Sequence, residues 1–155
     1  MEIRTILVPC DFSEHSGKAL AWALGIAEQS HAKVILLHVV PLFAHLSYPG
    51  RLFRDFEQMD AELVTETEKH LPDFLSTHQG TSQVPVEFRV LRGDPVGEIC
   101  EAVKRESADL IVMGSHGRTG LPHVLLGSVA ERVVRHALCP VLVIRLSVSA
   151  SKETE

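Results

Sequence analysis

Glycine and polar residues are concentrated in one stretch of the chain, between Gly114 and Ser128. An apolar run, Leu110 to Met113, precedes this stretch, and residues with helical spacing follow it from Val129 to Ala137. We therefore expect a strand, a glycine-rich loop and then the start of a helix. Glycine lets a backbone approach a ligand closely and adopt positive φ, and a helix start presents unpaired N–H groups with a partial positive charge. This combination favours the binding of an anion such as phosphate.

An ordinary strand-to-helix connection is the alternative, but such connections take about 2–6 residues, fewer than this loop contains. Two common nucleotide motifs do not match either. The Gly17-Lys18 pair is followed by alanine and has Phe12 where a Walker A loop needs its first glycine. The first strand is followed by Pro9-Cys-Asp-Phe-Ser instead of the glycine-rich dinucleotide fingerprint. Neither P-loop chemistry nor ordinary NAD binding is therefore indicated.

Short apolar runs alternate with helical patterns along the whole chain, which predicts an α/β protein with a parallel sheet. The predicted strands are Ile3–Val8, Lys33–Val40, Val84–Leu91, Asp109–Gly114 and Pro140–Arg145. The predicted helices cover residues 14–30, 51–77, 95–107 and 129–137. No internal repeat or interdomain linker is visible. We expect one domain over residues 1–146 and a polar, disordered tail over residues 147–155.

Capping residues mark the helix starts. Ser13 and Asp94 stand at N-cap positions, and Ser128 has capping-box spacing to Glu131. Pro72 lies inside the long second helical pattern, so we expect it to kink or interrupt that helix. The polar side chains of that helix form a solvated face.

The composition excludes several classes of protein. The chain has 155 residues, 45% of them hydrophobic, and a formal net charge of −5. The negative charge argues against non-specific binding to nucleic acid. No apolar run is long enough to span a membrane, and the N-terminus lacks the pattern of a secretory signal, so we expect a cytoplasmic protein. Three cysteines without a close pair form no disulfide framework, and a redox role for Cys10 is the less favoured interpretation.

The spacing Gly114-x2-Gly117-x9-Gly127-Ser128 resembles the ATP-binding branch of the universal stress protein family. The opening Ile-Leu-Val-Pro-Cys-Asp-Phe-Ser, the Gly93-Asp-Pro segment and the closing Cys139-Pro-Val-Leu-Val-Ile are similar to that family as well. The resemblance covers essentially the whole chain. It implies an open, Rossmann-like parallel sheet in the order 3-2-1-4-5 with helices on both faces. The first and fourth strands then meet at a switch point, where such sheets bind ligands.

The resemblance also implies a nucleotide site, with ATP as the ligand. Pro9 and Asp11 are expected beside the nucleoside, and Val39 beside the adenine. Met113 and Gly114 are expected to line the ribose and the α-phosphate. The backbone of Gly117 and the helix start are expected to hold the phosphates. That helix start consists of Gly127, Ser128 and Val129. Mg²⁺ or Mn²⁺ would bind through the phosphates, with no protein side chain as a metal ligand.

Structural roles remain open for several of these residues. Asp11 is also compatible with a turn or cap before the first helix, and Ser128 with a helix cap. Arg118 is placed either near the γ-phosphate or in solvent, and His116 and His123 are interpreted as polar loop residues rather than catalysts.

A metal site of His123, His136 and Cys139 is not favoured, since these residues form no compact ligand motif.

The loop offers no lysine or carboxylate for phosphoryl transfer, so we expect a regulator that holds ATP rather than an enzyme. A slow ATPase, and an interaction module with a vestigial nucleotide site, are the alternatives. The last strand is predicted to lie at a sheet edge, which is a template for pairing with another chain. The resemblance implies a homodimer through that strand, formed by Val141, Leu142, Val143 and Ile144.

Overall fold

The computed structural model describes residues 2–42, 53–117 and 126–146, with the backbone alone for residues 53–57. Within these residues, strands and helices alternate strictly along the chain. The strands are β1 Thr5–Pro9, β2 Lys33–Val40, β3 Val86–Arg92, β4 Leu110–Gly114 and β5 Val141–Ile144. The helices are α1 Glu14–Ser30, α2 Phe53–His78, α3 Pro95–Arg105 and α4 Ser128–His136. Every predicted element is present, and β2 has its predicted bounds.

The five strands form one parallel sheet in the order β3-β2-β1-β4-β5, which confirms the expected fold. In the middle of the sheet, Ile6 of β1 pairs with Val34 of β2 on one side and with Leu110 of β4 on the other. A parallel sheet of this kind must be covered on both faces. The short, β-branched and continuously apolar runs of the sequence satisfy that requirement.

Alternate side chains of each strand enter two separate cores. Ile6 and Val8 pack with α1 and α2 on one face, whereas Leu7 packs with α3 and α4 on the other. Leu71, in the second half of α2, is completely buried in the first of these cores. Helices therefore lie on both faces of the sheet, as the sequence predicted.

Two of the three predicted helix caps are formed. The side chain of Ser13 accepts a hydrogen bond from the Ser16 amide at 3.2 Å, and that of Asp94 accepts one from the Gly97 amide at 2.9 Å. The prediction that Ser128 is the N-cap of the last helix is wrong. Ser128 is the first residue of α4, and the N-cap is Gly127, which has no side chain, so the predicted capping box is not formed.

Pro72 does not interrupt α2, which runs without a break from Phe53 to His78. A proline removes one amide donor, but buried neighbours such as Leu71 hold this helix against the sheet. Among the described residues, no helix has the length and hydropathy needed to cross a membrane. The predicted tail over residues 147–155 lies outside the described part of the chain.

Candidate functional site

A cavity of about 580 Å³ opens at the carboxyl ends of β1 and β4. These strands are hydrogen-bonded neighbours, and the helices that follow them lie on opposite faces of the sheet. The two chain segments therefore diverge and leave a crevice between them, which is the usual ligand site of an open α/β sheet. The volume falls within the range of small-molecule sites, about 300–1,000 Å³.

All nine residues that the sequence assigned to a nucleotide site line this cavity. They are Pro9, Asp11, Val39, Met113, Gly114, Gly117, Gly127, Ser128 and Val129. The residues come from the ends of β1, β2 and β4 and from the start of α4, so the fold brings distant parts of the chain together. Arg118 and His123, the other two candidates in the loop, lie outside the described residues.

Each of the three loop glycines lies close to a neighbouring atom that an added Cβ would crowd. A Cβ atom at Gly114 would lie 2.7 Å from the His15 Cβ, and one at Gly117 would lie 2.6 Å from the Asp11 Oδ2. A Cβ at Gly127 would lie 3.2 Å from the backbone oxygen of Ser115. The sequence had suggested close approach or positive φ as reasons for glycine. Among the described glycines, positive φ occurs at Gly80 and Gly93 and not at these three positions.

The start of α4 is fixed at the cavity wall by the backbone. The Gly127 amide donates a hydrogen bond to the Ser115 carbonyl at 2.7 Å, and the Ser115 amide donates to the Ile144 carbonyl at 2.8 Å. These contacts tie the loop to the end of β5. The first turn of α4, with Ser128 and Val129 exposed, therefore meets the cavity with its amide groups and its positive dipole end.

The carboxylate of Asp11 has a fixed orientation. Its Oδ1 accepts hydrogen bonds from the Ser16 hydroxyl at 2.7 Å and from the Ser13 amide at 3.0 Å. Its Oδ2 lies close to Gly117, 2.6 Å from the position that a Cβ atom on that glycine would take. Asp11 therefore supports the turn into α1, the structural role left open above, and also presents an oxygen next to the glycine loop. The two roles are compatible.

The backbone beside Asp11 is strained. Phe12 has a φ of 63°, a value that costs energy for a residue other than glycine. Its ring packs against His38 at a centroid distance of 4.9 Å and against Phe74 at 5.6 Å. This packing holds the turn and keeps the Asp11 side chain beside the cavity.

Sequence reasoning did not assign several residues that line the cavity. These include Cys10, Ser16, Leu37, His38, Pro41, Pro95, Ile99, Ser115, His116 and Ala130. His38 could have been found from the sequence, because it lies two residues before the end of a predicted strand. In the structure, its Nδ1 lies 2.8 Å from the Cys10 carbonyl oxygen at the same edge of the sheet. Pro95 was visible only as a helix start. Its approach to the cavity depends on the packing of α3 and had no local signal.

Neither Cys100 nor Cys139 offers an activated thiolate. Burial raises the pKa of the Cys100 thiol and of the Cys139 thiol above the ordinary value. Cys10 is buried at the cavity floor, and its Sγ accepts a hydrogen bond from the Phe12 amide at 3.3 Å. No cluster of three or more potential metal ligands occurs in residues 2–42, 58–117 and 126–146. His123, one member of the disfavoured metal site, lies outside those ranges.

The fold and the cavity define an open, doubly wound α/β protein with a ligand crevice at its switch point. The sequence pattern of the Universal stress protein family matches residues 2–145, so the chain belongs to that family. Universal stress protein MJ0531 of Methanocaldococcus jannaschii is 35% identical over 142 residues, which are 92% of this chain and 82% of that protein.

Solved structures of related proteins are similar over nearly the whole chain. The structure of MJ0577 from Methanocaldococcus jannaschii superposes with a TM-score of 0.84 at 30% identity, covering 96% of this chain and 100% of that one. A universal stress protein in complex with cAMP superposes with a TM-score of 0.62 at 26% identity, covering 95% and 100%. That relative binds an adenine nucleotide.

Proposed function

We propose that this protein binds ATP in the cavity at the switch point and acts as a nucleotide-dependent regulator in a stress response. The observation that carries the proposal is the cradle formed by Gly114, Gly117 and Gly127, where no Cβ atom fits without displacing a neighbour. Such a cradle lets a ligand approach backbone amides directly. The cAMP complex of a relative supports an adenine nucleotide as the ligand class.

The two ends of the cavity suit different parts of a nucleotide. Asp11 presents a carboxylate oxygen, which accepts hydrogen bonds from ribose hydroxyls. Val39 and Met113 are buried apolar residues that suit a base. The start of α4 supplies amide donors for phosphate oxygens through Ser128 and Val129, whereas the Gly127 amide is already bonded to the Ser115 carbonyl. The Ser128 hydroxyl is not used as the N-cap of its helix, which favours its use as a donor to phosphate.

A divalent cation, Mg²⁺ or Mn²⁺, accompanies the triphosphate in this proposal. Mg²⁺ is bound in most nucleotide sites through phosphate oxygens and water. The loop residues present here fit that arrangement, because Gly114, Gly117 and Gly127 add no side chain that would compete for the phosphates.

Cytoplasmic location remains a prediction from the sequence.

The proposal includes a homodimer formed through β5. This strand lies at the edge of the sheet and pairs with β4 on one side. Its Val141, Leu142 and Val143 are only partly buried, which leaves apolar side chains beside unpaired backbone groups. Such an edge favours pairing with a second copy.

The test is equilibrium dialysis with labelled ATP and Mg²⁺. We expect saturable binding by the unmodified chain and its loss in Gly117→Val and in Gly127→Val. Gly25→Ala is the matched control, because a Cβ at Gly25 meets nothing within 4 Å. Thermal unfolding of each variant separates loss of binding from loss of the fold. Undiminished ATP binding in both valine variants would overturn the proposal.

The same preparation distinguishes a holder of ATP from a slow ATPase. His116 is a cavity residue with a side chain capable of acid–base chemistry, and its Nδ1 lies 2.9 Å from the Ser115 Oγ. We expect no steady release of phosphate above background. Phosphate release at catalytic rates that is abolished in His116→Ala would establish the enzyme alternative instead.

A further inference from the structure

Arg132 stands beside the cavity, although the sequence did not assign it to the site. It follows Ser128 by four residues and Val129 by three in α4, so helical spacing places all three on one side of the helix. Ser128 and Val129 line the cavity. Side chains of a helix lean toward its N-terminus, and Arg132 begins only about 6 Å along the axis from Ser128. The long Arg132 side chain is therefore within reach of the helix start.

The guanidinium group of Arg132 has a loose contact with the start of α3. Its Nη1 lies 3.9 Å from the Asp94 Oδ1, which exceeds the length of about 2.7–2.9 Å that a charge-assisted hydrogen bond has. The other carboxylate oxygen of Asp94 caps α3 through the Gly97 amide. The side chains of Arg132 and Asp94 are 58% and 49% exposed, and an exposed ion pair contributes little to stability. Arg132 can therefore leave Asp94 at small cost.

Arg135, the other arginine of α4, has a different environment. Its Nη2 donates a hydrogen bond to the Glu131 Oε1 at 2.9 Å, within the same helix. The two residues have the i, i+4 spacing of a stabilising surface pair. Arg135 also begins about 10 Å along the axis from Ser128. The helix therefore offers two exposed arginines for comparison, of which Arg132 is the one beside the cavity.

The cavity wall itself offers little positive charge for a chain of phosphates. None of the described residues that line it is a lysine or an arginine, and the Asp11 carboxylate adds a negative charge. The start of α4 supplies only a partial positive charge. A guanidinium group binds two phosphate oxygens at once and keeps its charge at any physiological pH. Arg132 is placed to supply that charge beside the helix start.

We propose that Arg132 leaves Asp94 when a nucleotide binds and pairs with the terminal phosphates, so that the site prefers ATP and ADP to AMP. The inference rests on the proposed function, because it assigns a specificity-determining residue to the same cavity. Asp94 competes with the phosphates for the guanidinium group. Removal of the Asp94 charge and removal of Arg132 therefore have opposite effects on ATP binding. A purely structural link between α3 and α4 would instead make both changes weaken binding.

Equilibrium dialysis with labelled ATP and Mg²⁺, together with displacement of the label by AMP, tests the proposal. We expect Arg132→Gln to weaken ATP binding about tenfold and AMP binding less than about twofold, because the lost bond is made to the terminal phosphates. Asp94→Asn, which keeps a good N-cap residue, should strengthen ATP binding about twofold. Arg135→Gln is the matched control and should leave both affinities unchanged. Far-ultraviolet circular dichroism checks that each variant is folded.

Three results would overturn the role of Arg132. The first is unchanged ATP affinity in Arg132→Gln. The second is an equal loss of ATP and AMP affinity in that variant, which would indicate an effect on the whole cavity. The third is weaker ATP binding in Asp94→Asn, a result that needs no AMP and would indicate a structural link. Failure of the proposed function is a distinct outcome, because the unmodified chain would then not bind ATP.

Discussion

Gly117→Ala should disturb the Asp11 carboxylate in a way that can be measured as a coupling energy. The added Cβ would lie 2.6 Å from the Asp11 Oδ2, whereas ordinary contact begins at 3.4 Å, so the carboxylate must move by about 0.8 Å. Movement strains the hydrogen bonds that Ser13 and Ser16 donate to Oδ1. A hydrogen bond to a charged group contributes about 1.5–3 kcal/mol. We expect Gly117→Ala to lower the free energy of unfolding by about 1–2 kcal/mol, because the bonds are strained rather than all lost.

A double-mutant cycle isolates this contact. In the Asp11→Ala background the obstructing oxygen is absent, so Gly117→Ala should then change the free energy of unfolding by less than about 0.5 kcal/mol. Urea unfolding followed by circular dichroism gives the four values. Gly25→Ala, in the open part of α1, should instead stabilise the protein by about 0.5–1 kcal/mol. An equal cost of Gly117→Ala in both backgrounds would refute the contact and the orientation of Asp11 derived from it.

Three other predictions test the site, the proposed interface and the surface charges. Ser16→Ala removes the hydroxyl that orients the cavity carboxylate, and it should weaken ATP binding about tenfold in equilibrium dialysis while the protein stays folded. Val143→Lys places a charge on the sheet edge, and light scattering should show a monomer instead of a dimer. Hydrogen bonds from Lys33 and then Arg89 lower the pKa of the Glu87 carboxyl, so its contribution to stability is present above the ordinary pKa of 4.5 and is lost as the pH falls through the lower value of the folded state. Glu87→Gln should therefore reduce the loss of stability below about pH 4.5, as measured by urea unfolding at several pH values.

The order of elements could be predicted from the sequence because each one has a local signal. Continuous apolar runs such as Lys33–Val40 identify buried parallel strands, and Asp94 followed by Pro95 marks a helix start. Boundaries were less accurate. The first strand was expected over Ile3–Val8 and is Thr5–Pro9, because its last backbone pairing extends to Pro9 opposite Leu37.

The site could be predicted as a set of residues, but its contacts could not. Glycine spacing and the family resemblance identified nine of the residues that line the cavity. No pattern indicated that Gly114 packs on His15, or that Gly117 faces Asp11, since these contacts join residues about a hundred positions apart. The Ser128 cap shows the opposite failure. Local spacing was correct for a capping box, but the helix begins one residue earlier than that box requires, with Gly127 as the N-cap.

Backbone strain is a further feature that the sequence did not reveal. Phe12, His31 and Ser107 all have positive φ, although none of them is glycine. His31 ends α1 in the left-handed conformation that glycine usually occupies. Packing against His38 and Phe74 accompanies the positive φ of Phe12, whereas His31 and Ser107 are exposed residues at the ends of α1 and α3.

The proposed binding of ATP is tested most directly by measuring which nucleotide, if any, the protein retains. The nucleotide-free chain is incubated with ATP and Mg²⁺, concentrated by ultrafiltration and extracted with acid, and the nucleotide is quantified by chromatography. We expect about one nucleotide per chain at saturation, recovered as intact ATP, because the cavity at Gly117 and Gly127 offers a cradle for phosphates. Recovery of no nucleotide above the free concentration would contradict binding, and recovery of ADP with released phosphate would contradict the role of a protein that holds ATP without consuming it.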